Sequence, residues 1–265
     1  MLEHLNVVIN TYNDSDFIDK IKTNYRLIKK LPISTTVLIV SDGSNETFVK
    51  LLRQNFPPDE LLILEVNVGV HNARMAAVKN FSDGHCLFID SDDDLIDPFC
   101  GHDVGVYDFK GYNLTTLAIT HEPGMRNVTG SLSSQIIRNQ VSGVLWNKIY
   151  SVQDIKTVPD IHLRNGEDYF TNLWLRDAID KMPYFMTPIT TYNLRPDSLS
   201  KKPSPYKYRH LVKMICFLLW HNRIDFMEAV ILFWHLVIKN FVRSIKNTNN
   251  KRLELFCFFG IFKWW

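Results

Sequence analysis

The chain has 265 residues, 46% of them hydrophobic, and its 30 Lys and Arg against 28 Asp and Glu give a formal net charge of +2. This length and composition predict a globular protein with one large domain, or one domain and an appendage, rather than two equal domains. The four cysteines are far apart and form no Cys-x-x-Cys pair, which argues against a zinc site and against a disulfide framework.

Charge is unevenly distributed along the chain. Residues 1–200 hold 18 Lys and Arg against 25 Asp and Glu, whereas residues 201–265 hold 12 against 3. The chain starts MLEHLNVVIN, which contains an acid and an apolar run too short for the core of a signal peptide. We therefore expect a cytoplasmic protein with an acidic body and a basic C-terminal segment.

Four short apolar runs near the start of the chain are typical of strands that are buried on both faces. They are LNVVI (5–9), TTVLIV (35–40), LLILEV (61–66) and HCLFID (85–90). Helix-like spacing lies between them, at Phe48, Leu51, Leu52 and Phe56 and again at Val70, Ala73, Ala77 and Phe81. This alternation predicts an α/β fold with a mostly parallel central sheet flanked by helices.

A polar segment follows each predicted strand. The four segments are NTYND, SDGSNE, NVGVHNAR and SDDD. The carboxyl ends of parallel strands meet at one edge of the sheet, where ligands bind in such folds, so these segments predict a polar binding edge. For each loop taken alone a structural alternative stays open, because Asp, Asn, Gly and Ser also form turns and helix caps.

Turn chemistry does not explain the carboxylates of FIDSDDDL, which are Asp90, Asp92, Asp93 and Asp94. Their repulsion destabilises the fold unless a cation or a basic partner offsets it. A divalent metal would do so, and oxygen ligands without His or Cys favour magnesium or manganese over zinc. Asp90 and Asp92 are two residues apart in an extended segment, so both could face one ion.

Five motifs, taken in order, resemble those of family 2 glycosyltransferases with the GT-A fold. They are VVINTYND, VLIVSDGSNE, NVGVHNARMAAVKNFSDGHCLFIDSDDDL, GVLWNKIY and NGEDYFTNLWL, and the similarity covers about residues 5–175. The resemblance implies a GT-A catalytic domain over residues 1–202, with a nucleotide-sugar half (1–100) and an acceptor half (101–202). A helical, basic and aromatic extension follows at residues 203–265.

The resemblance also implies a donor site. Asp42 corresponds to the acid that reads the uracil edge, and Ser41 stands where the family usually has a second Asp. Asp92 corresponds to the direct ligand of Mn²⁺ or Mg²⁺, with Asp90 in support. The implied nucleotide-sugar contacts are Asn10, Thr11, Tyr12, Asp42, Asn67, Gly69, Arg74, Asp90 and Ser91.

On the acceptor side, the resemblance implies that Asp168, with Glu167 beside it, takes the proton from the acceptor hydroxyl. The alternative, a turn that opens a helix with acids at its positive end, is compatible with this role. The implied acceptor-binding residues are Trp146, Lys148 and Arg164. A Trp among apolar neighbours is also typical of a protein core, and that alternative stays open for Trp146.

The C-terminal segment has no apolar run long enough to span a bilayer. In residues 231–247, one helical face combines Leu232, Phe233, Leu236, Val237, Phe241 and Ile245, with basic residues beside it. Such a helix could lie on an anionic membrane, here the inner face of the cytoplasmic membrane. Packing on the catalytic domain and a dimer interface are equally open alternatives.

Together these features predict an inverting, metal-dependent hexosyltransferase that uses a nucleotide sugar, with a UDP-sugar expected. Its acceptor would be a growing bacterial surface glycan on a lipid carrier, such as a capsule, O-antigen or lipooligosaccharide unit; the bacterial context rests on the resemblance alone. The alternative is a non-catalytic relative that binds nucleotide sugar or glycan and scaffolds a partner transferase. Nucleic acid is not expected as a partner, because no recognised binding module is present.

Overall fold

The computed structural model of the chain describes residues 2–97, 103–113, 118–121, 131–138, 141–163, 165–194, 207–239 and 241–242. Two compact units alternate along the sequence. The first comprises the described parts of Met1–Arg126, Val144–His162 and Lys181–Arg195, and the second those of Asn127–Gly143, Leu163–Asp180 and Pro196–Trp265. The sequence predicted a single boundary, at residue 202, between the catalytic domain and the C-terminal extension. That residue lies outside the described ranges, so the boundary stays a prediction.

The strands of the described residues belong to one sheet in the first unit. They are β1 (His4–Thr11), β2 (Ser34–Asp42), β3 (Leu61–Leu64), β4 (His85–Asp90), β5 (Asp94–Leu95), β6 (Gly105–Asn113), β7 (Ala118–His121), β8 (Lys148–Ser151) and β9 (Tyr184–Leu194). The four strands predicted from the apolar runs are therefore present, with ends that shift by a few residues.

The order of strands across the sheet is β3-β2-β1-β4-β8-β6-β9-β5, and β7 pairs with β6. β1 is parallel to β2 and to β4, and β2 is parallel to β3. β8 is antiparallel to β4 and to β6, whereas β6 and β9 are parallel. The carboxyl ends of the first four strands consequently meet at one edge, as the alternation of strands and helices predicted.

The central strands are buried on both faces, as their unbroken apolar runs predicted. Val7, Val8 and Ile9 of β1 are fully buried. The register sets Asn10, near the end of the same strand, beside Asp90 of β4, and sets Thr11 beside Ser41 of β2. The apolar core thus ends at a line of polar residues on adjacent strands.

The α-helices of the described residues are short. They are α1 (Ile18–Lys29), α2 (Glu46–Asn55), α3 (Val70–Val78), α4 (Leu132–Ile137), α5 (Val152–Ile155), α6 (Glu167–Trp174), α7 (Arg176–Ile179), α8 (Lys207–Trp220) and α9 (Phe226–Leu232). The spacing of apolar residues predicted α2 and α3. It did not predict α1, whose buried side interrupts the apolar pattern with Asn24 between Ile21 and Ile28.

The second unit is helical in its described part, with α4, α6, α7, α8 and α9. A π-helix, Phe233–Lys239, continues α9. Arg176 of α7 donates to both carboxylate oxygens of Glu228 in α9, at 2.9 and 3.1 Å, and to the backbone carbonyl of Arg223 at 2.7 Å. This bidentate contact raises the pKa of Arg176 and fixes α9 against α7.

No helix in the described ranges has both the length and the apolar character needed to cross a bilayer.

Candidate functional site

The loops that follow β1 and β4 are joined through Asp14. Its carboxylate accepts a hydrogen bond from the backbone N–H of Tyr12 at 2.8 Å and another from the hydroxyl of Ser91 at 2.6 Å. Ser91 is 4% exposed, whereas Tyr12 is 50% exposed. The hydroxyl of Thr11 is directed inward and donates to the carbonyl of Val40 at 2.9 Å. Of these predicted donor contacts, Tyr12 presents the most open surface.

Asn13 joins the loop after β1 to the loop after β2. Its backbone N–H donates to the Ser44 hydroxyl at 3.1 Å, and its side-chain oxygen accepts from the backbone N–H of Asn45 at 2.8 Å. Asn13 has a φ of 54°, an angle that Asn tolerates better than most residues. The loops after β1, β2 and β4 therefore form one hydrogen-bonded edge.

Asp42 holds the loop after β3. Its two carboxylate oxygens accept hydrogen bonds from the backbone N–H groups of Val68 at 2.7 Å and Gly69 at 3.0 Å, and Asn67 donates to its carbonyl at 3.1 Å. Burial raises the pKa of Asp42, although these two backbone hydrogen bonds act in the opposite direction. Asp42 is 2% exposed, so in this structure its carboxylate positions the loop, and base recognition stays a prediction.

Gly43 lets the same loop approach β2. It has a φ of +64°, and a Cβ there would lie 2.1 Å from the backbone nitrogen of Asn67. No side chain fits that distance, so glycine is required by both the backbone angle and the close approach of the two loops. Two of the segments that the sequence marked as polar, SDGSNE and NVGVHNAR, are thereby in direct contact.

Arg74 binds Asp90. The Arg74 side chain is 3% exposed on α3, and its Nη2 lies 2.5 Å from Asp90 Oδ1. The guanidinium also lies over the ring of Phe88, with Cζ 5.8 Å from the ring centroid. The resemblance implied that Arg74 reaches a phosphate or sugar, but here it offsets the charge of the first acid in the acidic segment and fixes that acid in place.

Asn193 and Lys20 hold the remaining acids. Asn193 donates three hydrogen bonds, from its backbone N–H to Asp93 Oδ1 at 2.9 Å and from its side chain to the Asp92 carbonyl and Asp94 Oδ2, each at 2.8 Å. Lys20 donates to the Asp92 carbonyl at 2.9 Å and pairs with Asp94 Oδ2 at 2.8 Å. These contacts fix the backbone that presents Asp92.

Asp93 is fully buried within this segment. Burial raises its pKa well above the ordinary value, and the neighbouring charges of Asp90 and Asp92 raise it further. The side chain of Asn24, on α1, donates to the Asp93 carbonyl at 2.8 Å and accepts from the Leu95 N–H at 3.0 Å. The acidic segment is thus anchored to α1 and β9 as well as to β4.

Two buried polar atoms at this edge of the sheet have no hydrogen-bond partner among the described residues. They are Asn10 Oδ1 and Ser41 Oγ. Both belong to the carboxyl ends of central strands, β1 and β2, and Ser41 is fully buried. Buried polar groups normally have a partner, so these two atoms mark the ends of β1 and β2 as a candidate binding edge.

The acidic segment fits a metal ion that takes most of its ligands from substrate. Within the described ranges, no three His, Cys, Asp or Glu side chains are arranged to hold a metal. Arg74 pairs with one oxygen of Asp90 and Lys20 pairs with Asp94. The residues predicted to hold a cation are Asp92 and Asp90. Mg²⁺ is commonly held by one or two carboxylates plus substrate phosphates, and this donor set meets that requirement.

The predicted acceptor residues of GVLWNKIY are buried in the first unit. Trp146 is 2% exposed and stacks on Tyr192 with ring centroids 5.1 Å apart. Lys148 is fully buried, and its ammonium donates to the Val144 carbonyl at 2.5 Å and to the side chain of Asn147 at 2.9 Å. These contacts favour the core alternative for Trp146, and they place Lys148 away from solvent as well. Arg164, the third predicted acceptor residue, lies outside the described ranges.

Glu167 and Asp168 begin α6 in the second unit. Both are half-buried, and Gly166 precedes them with a φ of +85°. The side chain of Asn172 donates to the Asp168 carbonyl at 2.8 Å and to the Gly143 carbonyl at 2.7 Å. The two acids therefore occupy the first turn of a short helix whose backbone is fixed by a buried amide.

Sequence reasoning missed the residues that position this site. Asp14, Lys20, Asn24 and Asn193 contact the acidic segment or its neighbours, and of these four only Asp14 belongs to one of the five motifs, VVINTYND. Asn193 is about a hundred positions from the acids that it binds, and no local pattern connects them. Asp14 was the easiest of the four to predict from sequence, because it follows the first strand within the polar segment NTYND.

Comparison with known proteins identifies the sequence class and the fold. The sequence profile described as Glycosyl transferase family 2 matches residues 6–158, more than half of the chain. None of the curated protein sequences compared with the chain matches it.

Crystal structures of S. aureus TarS are similar to the chain. TarS 1-349 is 19% identical, with a TM-score of 0.62 over 98% of this chain and 80% of that one. TarS 1-349 in complex with UDP-GlcNAc is 20% identical, with a TM-score of 0.60 over 92% and 74%. The complex with UDP is 20% identical, with a TM-score of 0.57 over 92% and 73%. The predicted α/β fold of the GT-A type is confirmed.

We expect Asn193→Ala to lower the free energy of unfolding by about 1–3 kcal/mol, because it removes two side-chain hydrogen bonds that each contribute about 0.5–1.5 kcal/mol. Thermal unfolding followed by circular dichroism measures the change. The control is Asn80→Ala, which removes one exposed hydrogen bond to the Ala76 carbonyl and should cost less than about 0.5 kcal/mol. Equal effects of the two substitutions would contradict the positioning role.

We expect Gly166→Ala to destabilise the second unit by about 1–3 kcal/mol. The φ of +85° disfavours a side chain, and the new Cβ would lie 2.8 Å from Leu211 Cδ2 and 3.0 Å from Met214 Sδ. Urea unfolding of the purified protein measures the effect. Asn165→Ala is the matched control, because that residue does not have a positive φ. An unchanged midpoint for Gly166→Ala would contradict this account of how α6 begins.

Proposed function

The chain belongs to glycosyl transferase family 2, and we propose that it moves a sugar from a UDP-sugar to a hydroxyl of a glycan, with inversion at the transferred carbon. The observation that supports this most directly is the edge formed by the loops after β1, β2, β3 and β4. There, the buried polar atoms Asn10 Oδ1 and Ser41 Oγ have no hydrogen-bond partner among the described residues, and Asn10 pairs in register with Asp90 at the start of the acidic segment.

The nucleotide half of the donor fits the loops of this edge. Tyr12 offers an exposed ring on which a base can stack, and Asn10 offers a side-chain oxygen at the end of β1. That S. aureus TarS 1-349 has been crystallised with UDP-GlcNAc and with UDP supports uridine as the base. Asp42 acts on this part of the site by holding the backbone of Val68 and Gly69.

The diphosphate is expected at the acidic segment. A divalent cation bound by Asp92, with Asp90 in support, would stabilise the negative charge that develops on the leaving diphosphate. The protein's own residues set up this position in advance. Arg74 fixes Asp90, and Asn193 fixes the backbone of Asp92, so the donor oxygens need little reorganisation when the substrate arrives.

Asp168 is proposed as the general base for the acceptor hydroxyl. A hydroxyl is a weak nucleophile until a base takes its proton during attack. The sugar carbon is then attacked from the face opposite the diphosphate, the new C–O bond forms as the bond to phosphate oxygen breaks, and the proton passes to the carboxylate. Asn172 donates to the Asp168 carbonyl and so holds the backbone that carries this carboxylate.

The acceptor is proposed to be a growing bacterial surface glycan, carried on a lipid at the inner face of the cytoplasmic membrane. The family resemblance supports this class of acceptor. The net basic charge of residues 201–265, with 12 Lys and Arg against 3 Asp and Glu, suits a substrate that is held at an anionic membrane.

UDP with Mn²⁺ or Mg²⁺ should raise the melting temperature of the purified protein. Saturation at about a hundred times Kd adds about 2.7 kcal/mol, enough for a shift of several degrees. The shift should require the metal and be lost in Asp92→Ala, whereas the exposed acid variant Asp59→Ala should keep it. Equal shifts for both variants would refute the metal assignment, and a larger shift with GDP, CMP or dTDP would refute uridine.

Asp168→Asn should reduce sugar transfer by at least about a hundredfold while leaving the UDP-dependent thermal shift unchanged, because it removes only the base. The assay is release of UDP from the UDP-sugar that gives the largest thermal shift, with a bacterial lipid-linked glycan extract as acceptor. Asp177→Asn is the matched control, since its side chain is 83% exposed on the next helix. Full turnover by Asp168→Asn would reject Asp168 as the base.

A further inference from the structure

The C-terminal helices carry a set of large apolar side chains that are exposed to solvent. The set, called the aromatic face below, consists of Trp220 (84% exposed), Phe226 (70%), Met227 (64%), Val230 (46%) and Trp234 (59%). Phe226, Val230 and Trp234 recur at intervals of four, so they follow one another along α9 and the π-helix. Trp220 ends α8, directly before the turn that leads to α9. Exposed apolar patches of this kind mark interaction sites.

The aromatic face is not the face that the sequence predicted. The predicted membrane face included Leu232, Leu236 and Val237, and these residues are at most 7% exposed. Phe241, from the same set, packs edge-on against Tyr208 of α8, with ring centroids 5.9 Å apart. The described part of the predicted face is therefore the packed side of this helix, which favours the packing alternative, and Ile245 lies outside the described ranges. The opposite side is the one left open.

Two contacts hold the aromatic face in a fixed position. Asp225 and Glu228 form a reciprocal cap at the start of α9. The Glu228 N–H donates to Asp225 Oδ1 at 2.8 Å, and the Asp225 N–H donates to Glu228 Oε2 at 2.9 Å. Glu228 also receives the bidentate contact from Arg176. The cap and the ion pair use the polar side chains of α9, whereas Phe226, Met227 and Val230 of the same helix stay exposed.

Basic residues accompany the aromatic face. Arg209 and Lys213 are exposed on α8 in the same stripe that ends at Trp220, and Lys239 is exposed at the end of the π-helix. The chain then continues into residues 243–265, whose composition includes five Lys and Arg, one Glu, four Phe and two Trp. Aromatic and basic side chains together match the headgroup region of an anionic bilayer.

We propose that the aromatic face inserts into the headgroup layer of an anionic lipid membrane. Trp and Phe enter the interface, and the adjacent Lys and Arg pair with lipid phosphates. A second copy of this chain fits less well, because two copies of the same basic segment would repel each other. The inference rests on exposure and charge in the second unit, and it holds or fails independently of the proposed transferase reaction.

Vesicle flotation tests the proposal with the purified full chain. The wild-type protein should bind vesicles of phosphatidylethanolamine and phosphatidylglycerol and bind pure phosphatidylcholine vesicles at least about tenfold more weakly. A variant with Phe226→Ser, Met227→Ser and Trp234→Ser should lose binding to the anionic vesicles by about tenfold or more, because the inserted apolar area is removed. No enzymatic activity is needed for the readout.

The control is Val66→Ser, which removes a 66% exposed apolar side chain from the first unit and should leave vesicle binding unchanged. Circular dichroism checks that the triple variant keeps its fold, which is expected because the altered side chains are exposed. Undiminished vesicle binding by the folded triple variant would overturn the proposal. So would a wild-type dimer that ignores vesicles and becomes monomeric in the triple variant, since the face would then bind a second copy.

Discussion

Repulsion among adjacent carboxylates at the end of β4 is the constraint on which the candidate site depends. The protein meets it in three ways that differ physically. Arg74 and Lys20 bring positive charge to Asp90 and Asp94. Burial favours the neutral form of Asp93. Hydrogen bonds from Asn193 then fix the backbone between them, so the negative charge that remains is presented at a defined place.

At the same edge of the sheet, loops that are separated in the sequence come together because their strands are parallel. Each strand contributes one loop, and the loops are joined by short polar contacts instead of by an apolar core. Asp42 binds two backbone N–H groups of the next loop, and Gly43 lets that loop come close. A side chain that looks like a ligand contact in the sequence can therefore be a structural support for the residues that make the contact.

Much of this could be predicted from sequence, because local patterns carry the relevant physics. Apolar runs predicted the first four strands, and polar residues after them predicted the binding edge. Partners distant in the chain could not be predicted, since nothing local links Asn193 or Lys20 to the acids that they hold. The burial of Lys148 in GVLWNKIY could not be predicted either, because lysine is normally exposed and this one is fully buried. The helix after Asp225 has apolar residues on two sides, so periodicity alone could not tell which side is packed.

The interleaving of the two units has a consequence for the role of the C-terminal helices. Gly166 precedes the helix that bears Asp168 and lies against Leu211 and Met214. Phe170 of that helix packs on Phe217, with ring centroids 5.6 Å apart. A chain shortened to its first 202 residues would keep every described strand. It would lose Leu211, Met214 and Phe217, which lie against the helix that carries the proposed base. The last quarter of the sequence thus supports the helix that carries the proposed base, in addition to the membrane contact proposed for it.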